Sequence, residues 1–346
     1  RLKDFEGDAL LLAAACRAAQ LSDEAGSAVP YSFELVRLAE SPTDLDAALR
    51  LATGLIARSK TPRKWLEELS GVEAPSIQER CLLAELHEGM GDSIAAERVL
   101  RAAMDGEDAL MAAAQRVRLL EMRGDIEGAS AAQRELMAMP GGMRTAQVKR
   151  LVELLERAAD LEGALEETGT WLRLAPGDKL AWTKRADLLL VDGRPADAVA
   201  ELRRALAKFG DDEAMRAKLG QAQQEAGMVE EAWRGFTGLY DESESSTGKL
   251  RWVGELARMA AMEGREESLV RDFRRRSQEN PSSILPLLAL ADMYREWQMP
   301  EDELDCVAEA SRRRPEDARL KFRMADLYED AGSTDAAAGV LRSLVG

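Results

Sequence analysis

Residues 179–212 read KLAWTKRADLLLVDGRPADAVAELRRALAKFGDD. Two short amphipathic helices are legible in this stretch, joined by a tight turn at Asp192-Gly193. Trp182, Ala186 and Leu189 are spaced four and three apart, which places them on one face of the first helix. Ala198, Leu202 and Ala205 do the same in the second. Such a hairpin has one apolar face and too little surface of its own to bury it, so it needs neighbours of the same kind.

The following block, 213–246, supplies one at a spacing of 34 residues. Gly220 stands where Ala186 stood, Gly227 where Gly193 stood, and Ala232 and Phe236 where Ala198 and Leu202 stood. With Leu219-Gly220 in the first helix and the Ala/Phe pair in the second, the sequence resembles the tetratricopeptide repeat family. That family's signature runs aromatic, Leu-Gly, Tyr, Ala, Phe and Pro at set offsets. The resemblance implies an all-α chain, an α-solenoid of about ten antiparallel helix-turn-helix units winding as a right-handed superhelix.

Tiling outward gives units at about 12–45, 46–76, 77–109, 110–144, 145–178, 179–212, 213–249, 250–283, 284–317 and 318–346. Residues 1–76 form divergent N-terminal repeats, and 77–346 form the clearer array. Proline tests the phase independently, because it is excluded from helix interiors and accepted in first turns or just past ends. Pro30, Pro62, Pro195 and Pro300 fall at the turn into a second helix, and Pro286 falls in the opening turn of a first helix. Pro42, Pro75, Pro140, Pro176, Pro281 and Pro315 fall where units end. Gly26, Gly91, Gly124, Gly193, Gly227, Gly264 and Gly332 sit between paired helices, where glycine accepts the left-handed conformation. Ala159-Asp160 and Gln298-Met299 replace glycine at two turns. The small residue midway along the first helix (Ala84, Ala186, Gly220, Ala257, Ala291, Ala325) lets the partner helix approach closely. The acidic stretch 241–247, DESESST, reads as a longer solvated loop.

Composition narrows the function. The 346 residues carry 63 acidic and 47 basic side chains, a formal net charge of −16. Sequence-independent nucleic-acid binding needs a basic footprint, so no nucleic-acid partner is expected. An anionic membrane surface is disfavoured, and no apolar run approaches the roughly 18–20 residues of a membrane span. Cys16, Cys81 and Cys306 are far apart and odd in number, which reads as free, packed thiols. These features favour a soluble chain, cytoplasmic over periplasmic. The first residue is Arg rather than Met, so chain before it is expected. The final helix carries Val340, Leu341, Leu344 and Val345 without a polar closing face, which suggests further chain or self-association there.

Catalysis finds no support. The sole histidine, His87, occupies the aromatic slot of a unit and reads as structural. No Ser/His or Cys/His pair, glycine-rich phosphate cradle or H-E-x-x-H is present. No catalytic, cofactor-binding or metal-ligating residue is therefore assigned, and no cofactor is expected. The basic triplets Arg274–Arg276 and Arg312–Arg314 read as cations meeting the negative ends of second helices, with anion binding as the sharper alternative. Trp171, Trp182 and Trp233 lie at packing slots; Trp252 and Trp297 fall off them and are candidate exposed anchors.

In the family it resembles, the first helices line a concave groove that holds an extended peptide or a partner helix. Projected onto this sequence, the groove floor holds Arg118, Glu121, Lys149, Glu153 and Arg157, then Thr183, Asp187 and Gln221. It continues with Arg251, Arg258, Asp292, Arg295, Asp326 and Glu329. Some members grip a C-terminal carboxylate with a Lys/Asn/Asn/Lys/Arg clamp. Here Lys149 and Arg150 are followed by Glu153 where that clamp has Asn, so the clamp is not carried over. The resemblance implies a non-enzymatic scaffold binding a protein or peptide. The alternative is the substrate-docking or regulatory region of a larger enzyme or of a cell-envelope or secretion assembly factor.

Overall fold

A residue that can take a positive φ ends the first helix of nearly every pair in the chain. The computed structural model describes residues 9–21, 25–39, 41–106 and 108–344. Among them are twenty α-helices and no strand. The first ten are α1 (Ala9–Gln20), α2 (Ala25–Arg37), α3 (Pro42–Arg58), α4 (Pro62–Ser70), α5 (Ile77–Gly89), α6 (Ser93–Ala103), α7 (Ala109–Met122), α8 (Ile126–Ala138), α9 (Thr145–Arg157) and α10 (Leu161–Leu174). The rest are α11 (Lys179–Val191), α12 (Pro195–Phe209), α13 (Glu213–Glu225), α14 (Val229–Glu242), α15 (Ser246–Glu263), α16 (Glu266–Glu279), α17 (Leu285–Glu296), α18 (Pro300–Arg313), α19 (Ala318–Asp330) and α20 (Thr334–Arg342). The helices pack in consecutive pairs. The chain divides into two compact units, 1–181 and 182–346.

Eight turns share one geometry. Gly91, Gly124, Ala159, Gly193, Gly227, Gly264, Gln298 and Gly332 all have φ between 59° and 82°. At each, the next residue donates its N–H to the carbonyl five positions earlier at 2.7–2.9 Å, as Asp92 does to His87 and Ser333 to Tyr328. This bond satisfies a carbonyl that the helix end would otherwise leave open. The second helix is then capped from the same turn. The carboxylates of Asp92, Asp125 and Asp160 accept from the backbone N–H of Ala95, Gly128 and Gly163 at 2.8–3.0 Å.

Packing follows the small-residue reading. Ala84, Ala186, Ala257 and Ala291 are fully buried, Ala325 nearly so, as are Ala96, Leu100, Ala232 and Phe236 on the facing second helices. Gly220 is the tightest case: a methyl group placed on it would stand 2.7 Å from Phe236 Cζ.

Several sequence expectations need correction. Gly26 lies in the first turn of α2 and does not mark a turn between helices. Pro30 is inside α2, and Pro42 opens α3, so the phase slips by a few residues before position 76. The stretch 241–247 is mostly helical, because α14 runs to Glu242 and α15 begins at Ser246. Ser245 caps α15 by accepting from Gly248 N–H at 2.9 Å, and the extra residues lengthen α15 to 18. Trp252 is buried, its indole N–H 3.2 Å from Ser243 Oγ. Trp297 is half-buried, donates to the Ala257 carbonyl at 2.9 Å and meets Tyr294 edge-on. Neither tryptophan is an exposed anchor. Val345 lies outside the described residues; Val340, Leu341 and Leu344 are half-buried.

Two outcomes follow for stability. Holding an L-residue in the left-handed region costs roughly 1–2 kcal/mol, partly offset by the greater freedom of unfolded glycine. Ala159→Gly should therefore raise the urea-unfolding free energy by about 0.5–1 kcal/mol, whereas Gly193→Ala should lower it. Gly220→Ala should cost about 1–3 kcal/mol, and less in a Phe236→Leu background; an unchanged cost there would show that the ring is not what the methyl meets.

Candidate partner-binding faces

In the unit 1–181, α3 packs on α5 and α5 on α7, so charged residues of successive first helices meet. Arg118 on α7 lies between Asp46 of α3 and Glu85 of α5. Its Nε is 2.6 Å from Asp46 Oδ1, without an aligned hydrogen bond, and its Nη1 contacts Glu85 closely. The Glu85 side chain is only 3% exposed and also accepts from Gln115 Nε2 at 2.6 Å. Burial pulls the Arg118 guanidinium below its ordinary value, with Asp46 opposing that shift. Glu121 takes two arginines from α9, Arg150 and Arg157.

Arg118 and Glu121 line an open cleft of about 980 Å³ with Asp46, Arg50, Leu110, Met111, Met122, Arg144, Gln147 and Arg150. A second cleft of about 750 Å³ shares Arg50, Arg118 and Met122. Of the other residues expected there, Lys149 turns away. Its Nζ sits 2.8 Å from Asp178 Oδ2 and 4.7 Å from the centre of the Trp171 ring. Arg157 is committed to Glu121, and Glu153 is exposed, 3.8 Å from Arg150. The sequence reading missed Glu85, Arg50, Asp46 and Arg144. Glu85 had a signal, as a lone acid in the apolar run 81–86.

In the unit 182–346 the expected residues form small ion-pair groups. Asp187 pairs with Lys218. Arg258 pairs with Glu255 and stands 3.8 Å from Glu296. The Arg251 guanidinium lies 4.6 Å from the centre of the Trp252 ring. Asp292 and Arg295 join each other and Arg323, whose Nη2 is 2.9 Å from Asp292 Oδ1. Arg323 also donates from Nε at 2.9 Å and Nη2 at 2.6 Å to Glu303, a buried acid missed in the sequence. Thr183 is half-buried; Gln221, Asp326 and Glu329 are exposed.

His87 and the three cysteines are packed into the helical hairpins. His87 is half-buried, with Nδ1 3.9 Å from Asp92 Oδ2. Burial pushes the Cys81 thiol up to about 12 and those of Cys16 and Cys306 to about 11, so all three are held protonated at neutral pH. Among the described residues no group of three or more His, Cys, Asp or Glu could hold a metal ion, and no helix is long and apolar enough to cross a membrane.

Residues 180–222 match the family model described as tetratricopeptide repeat. No curated protein sequence matches the chain significantly. Among solved structures, a tetratricopeptide repeat protein from Parabacteroides merdae is similar at 16% identity, covering 72% of this chain and 97% of its own, with a TM-score of 0.41. A chain of the Naa15/Naa10 complex bound to HypK-THB shares 13% identity over 96% of this chain and 57% of its own, TM-score 0.43. YrrB, described as a tetratricopeptide repeat protein with an unusual peptide-binding site, shares 15% over 51% and 90%, TM-score 0.32.

The Lys149 contact makes a pH-dependent prediction. The hydrogen bond from Lys149 holds the Asp178 carboxyl below its ordinary value against the cost of burial, aided by Trp171 Nε1 at 3.0 Å. A depressed carboxyl stabilises the fold above its unfolded pKa, near 3.9, and that stabilisation is lost as pH falls through the folded value. Carboxyl-carbon NMR titration of Lys149→Met should show Asp178 titrating at higher pH than in the parent; an identical midpoint would assign the depression elsewhere.

Proposed function

We propose that the chain is a non-enzymatic protein-interaction scaffold, and that the first-helix face of the unit 1–181 receives an extended peptide or partner helix. Tetratricopeptide-type hairpins commonly mediate protein–protein interaction, and residues 180–222 match that family. The observation that carries the reading is the roughly 980 Å³ cleft. It combines apolar contacts (Leu110, Met111 and the exposed Met122) with charges of both signs. Its volume and mixed lining suit a few side chains of a polypeptide.

Within this face the side chains differ in availability. Arg118 is paired with Asp46 and Glu85, and Glu121 with Arg150 and Arg157. Arg144 makes no ion pair among the described residues and bonds only the Gly141 carbonyl, at 2.9 Å. Met122 is 61% exposed. A partner gains most from apolar contact with Met122 and Met111 and from an acidic group at Arg144.

Peptide display on the purified chain should enrich sequences that pair an acidic residue with large apolar ones. Arg144→Glu and Met122→Asp should each weaken the recovered peptides about tenfold, roughly 1.4 kcal/mol, with unchanged thermal melting. Enrichment of peptides indifferent to both substitutions would place the binding face elsewhere, and no enrichment over scrambled controls would remove the reading.

A further inference from the structure

One arginine of the first triplet and two of the second line one cleft. In the unit 182–346, Arg274 on α16 and Arg312 and Arg313 on α18 line a cleft of about 460 Å³ whose wall includes Ser277, Leu287 and Leu290. Arg313 fulfils the helix-end role, pairing with Glu309 and donating to the Ser277 carbonyl at 3.3 Å. The other two cations are less committed. Arg274 has no carboxylate within 4 Å among the described residues and donates to the neutral Tyr294 hydroxyl at 3.3 Å. Arg312 is exposed and makes neither an ion pair nor a side-chain hydrogen bond among them.

Ser277 supplies an independent observation. The residue is 3% exposed, and its Oγ has no hydrogen-bond partner among the described residues. Two helical serines elsewhere bond back to the preceding turn, Ser70 to Leu66 at 2.7 Å and Ser130 to Ile126 at 2.9 Å. Ser277 does not, and a buried hydroxyl without a partner is costly. The cleft also holds two acids, Glu309, which is answered by Arg313, and the exposed Asp305. Three cations against two carboxylates leave the cleft cationic in a chain of net charge −16.

We infer that the cleft between α16 and α18 binds a phosphomonoester, its oxygens taken by the guanidiniums of Arg274 and Arg312 and by the Ser277 hydroxyl. A phosphomonoester presents three terminal oxygens and close to two charges, matching two forked donors and a hydroxyl; a carboxylate offers two oxygens and one charge. Leu287 and Leu290 give the carbon-bearing side of the ester an apolar wall. The ester can belong to a phosphorylated side chain or to a small organic phosphate. The site uses no residue of the cleft in 1–181 and does not depend on the peptide reading.

Calorimetric titration of the full chain with O-phosphoserine, inorganic phosphate and glutamate tests the assignment. Both phosphates should bind about tenfold or more tighter than glutamate. Arg312→Gln and Ser277→Ala should each weaken phosphate binding about fivefold or more. Ser277→Ala should melt no lower than the parent, since it removes an unpartnered hydroxyl, and Arg319→Gln, outside the cleft, should bind as the parent does. O-phosphoserine should bind tighter than inorganic phosphate; equal binding would show that Leu287 and Leu290 contribute nothing and would overturn the ester in favour of the free anion. No saturable heat at millimolar ligand, equal affinity for glutamate, or parent-like binding in Arg312→Gln and Ser277→Ala would overturn the site.

Discussion

The hydrogen bond closed across each left-handed residue is the constraint on which the hairpins depend. A first helix can reverse into a second only if its last carbonyls find donors, and one residue with positive φ swings the following N–H back to do this. The same residue aims the chain so that the next aspartate reaches the free N–H groups of the second helix, as at Asp92, Asp125 and Asp160. Because the turn is stereotyped, the small residue on one helix and the large residue on its partner meet at a set height. Gly220 against Phe236 is the clearest instance, and Ala186 occupies the equivalent place one repeat earlier.

Charge adds specificity to that regularity. Glu85 and Glu303 are almost excluded from water, and each is held by arginine from a neighbouring helix. Burying a carboxylate and a guanidinium together gains little net stability, because desolvation offsets most of the attraction. Leaving Glu85 without Arg118 and Gln115 is a different matter, since an unpaired buried charge costs several kcal/mol, of the order of 3–5. Similar hairpins could otherwise pack in the wrong partnership, for their apolar faces are alike. Ion pairs such as Arg118–Glu85 and Arg323–Glu303 differ from hairpin to hairpin and penalise such exchanges.

The legibility of the fold tracks how local its causes are. Glycine at a turn and proline at a helix start act through their own φ, so Gly124 or Pro195 announces its place without reference to the rest of the chain. Ala159 and Gln298 show the limit, for packing on either side forces an L-residue into the conformation glycine would adopt. Gly26 misled because glycine is tolerated in the first turn of a helix, and Pro30 because it sits inside α2, where the usual exclusion of proline from helix interiors does not hold. The DESESST stretch looked like a loop on polarity, yet a serine cap and a buried tryptophan draw its ends into two helices. The candidate faces were half legible. Periodicity found which residues lie on first helices, but an ion pair depends on the neighbouring hairpin, and that is invisible in one chain's spacing.

This difference governs how the projected groove residues should be weighed. A residue on the correct helix face contributes to binding only if its group is free, or can be freed at less cost than the partner returns. Lys149 would have to leave Asp178 and the Trp171 ring, and Arg157 would have to leave Glu121, before either met a ligand. Arg144 surrenders at most a bond to one carbonyl, and Met122 only its hydration. On the proposed reading, recognition on the unit 1–181 would therefore fall to side chains that the repeat pattern did not select. The ion-paired residues Arg118 and Glu121, which it did select, link α7, which carries Met122, to its neighbouring first helices.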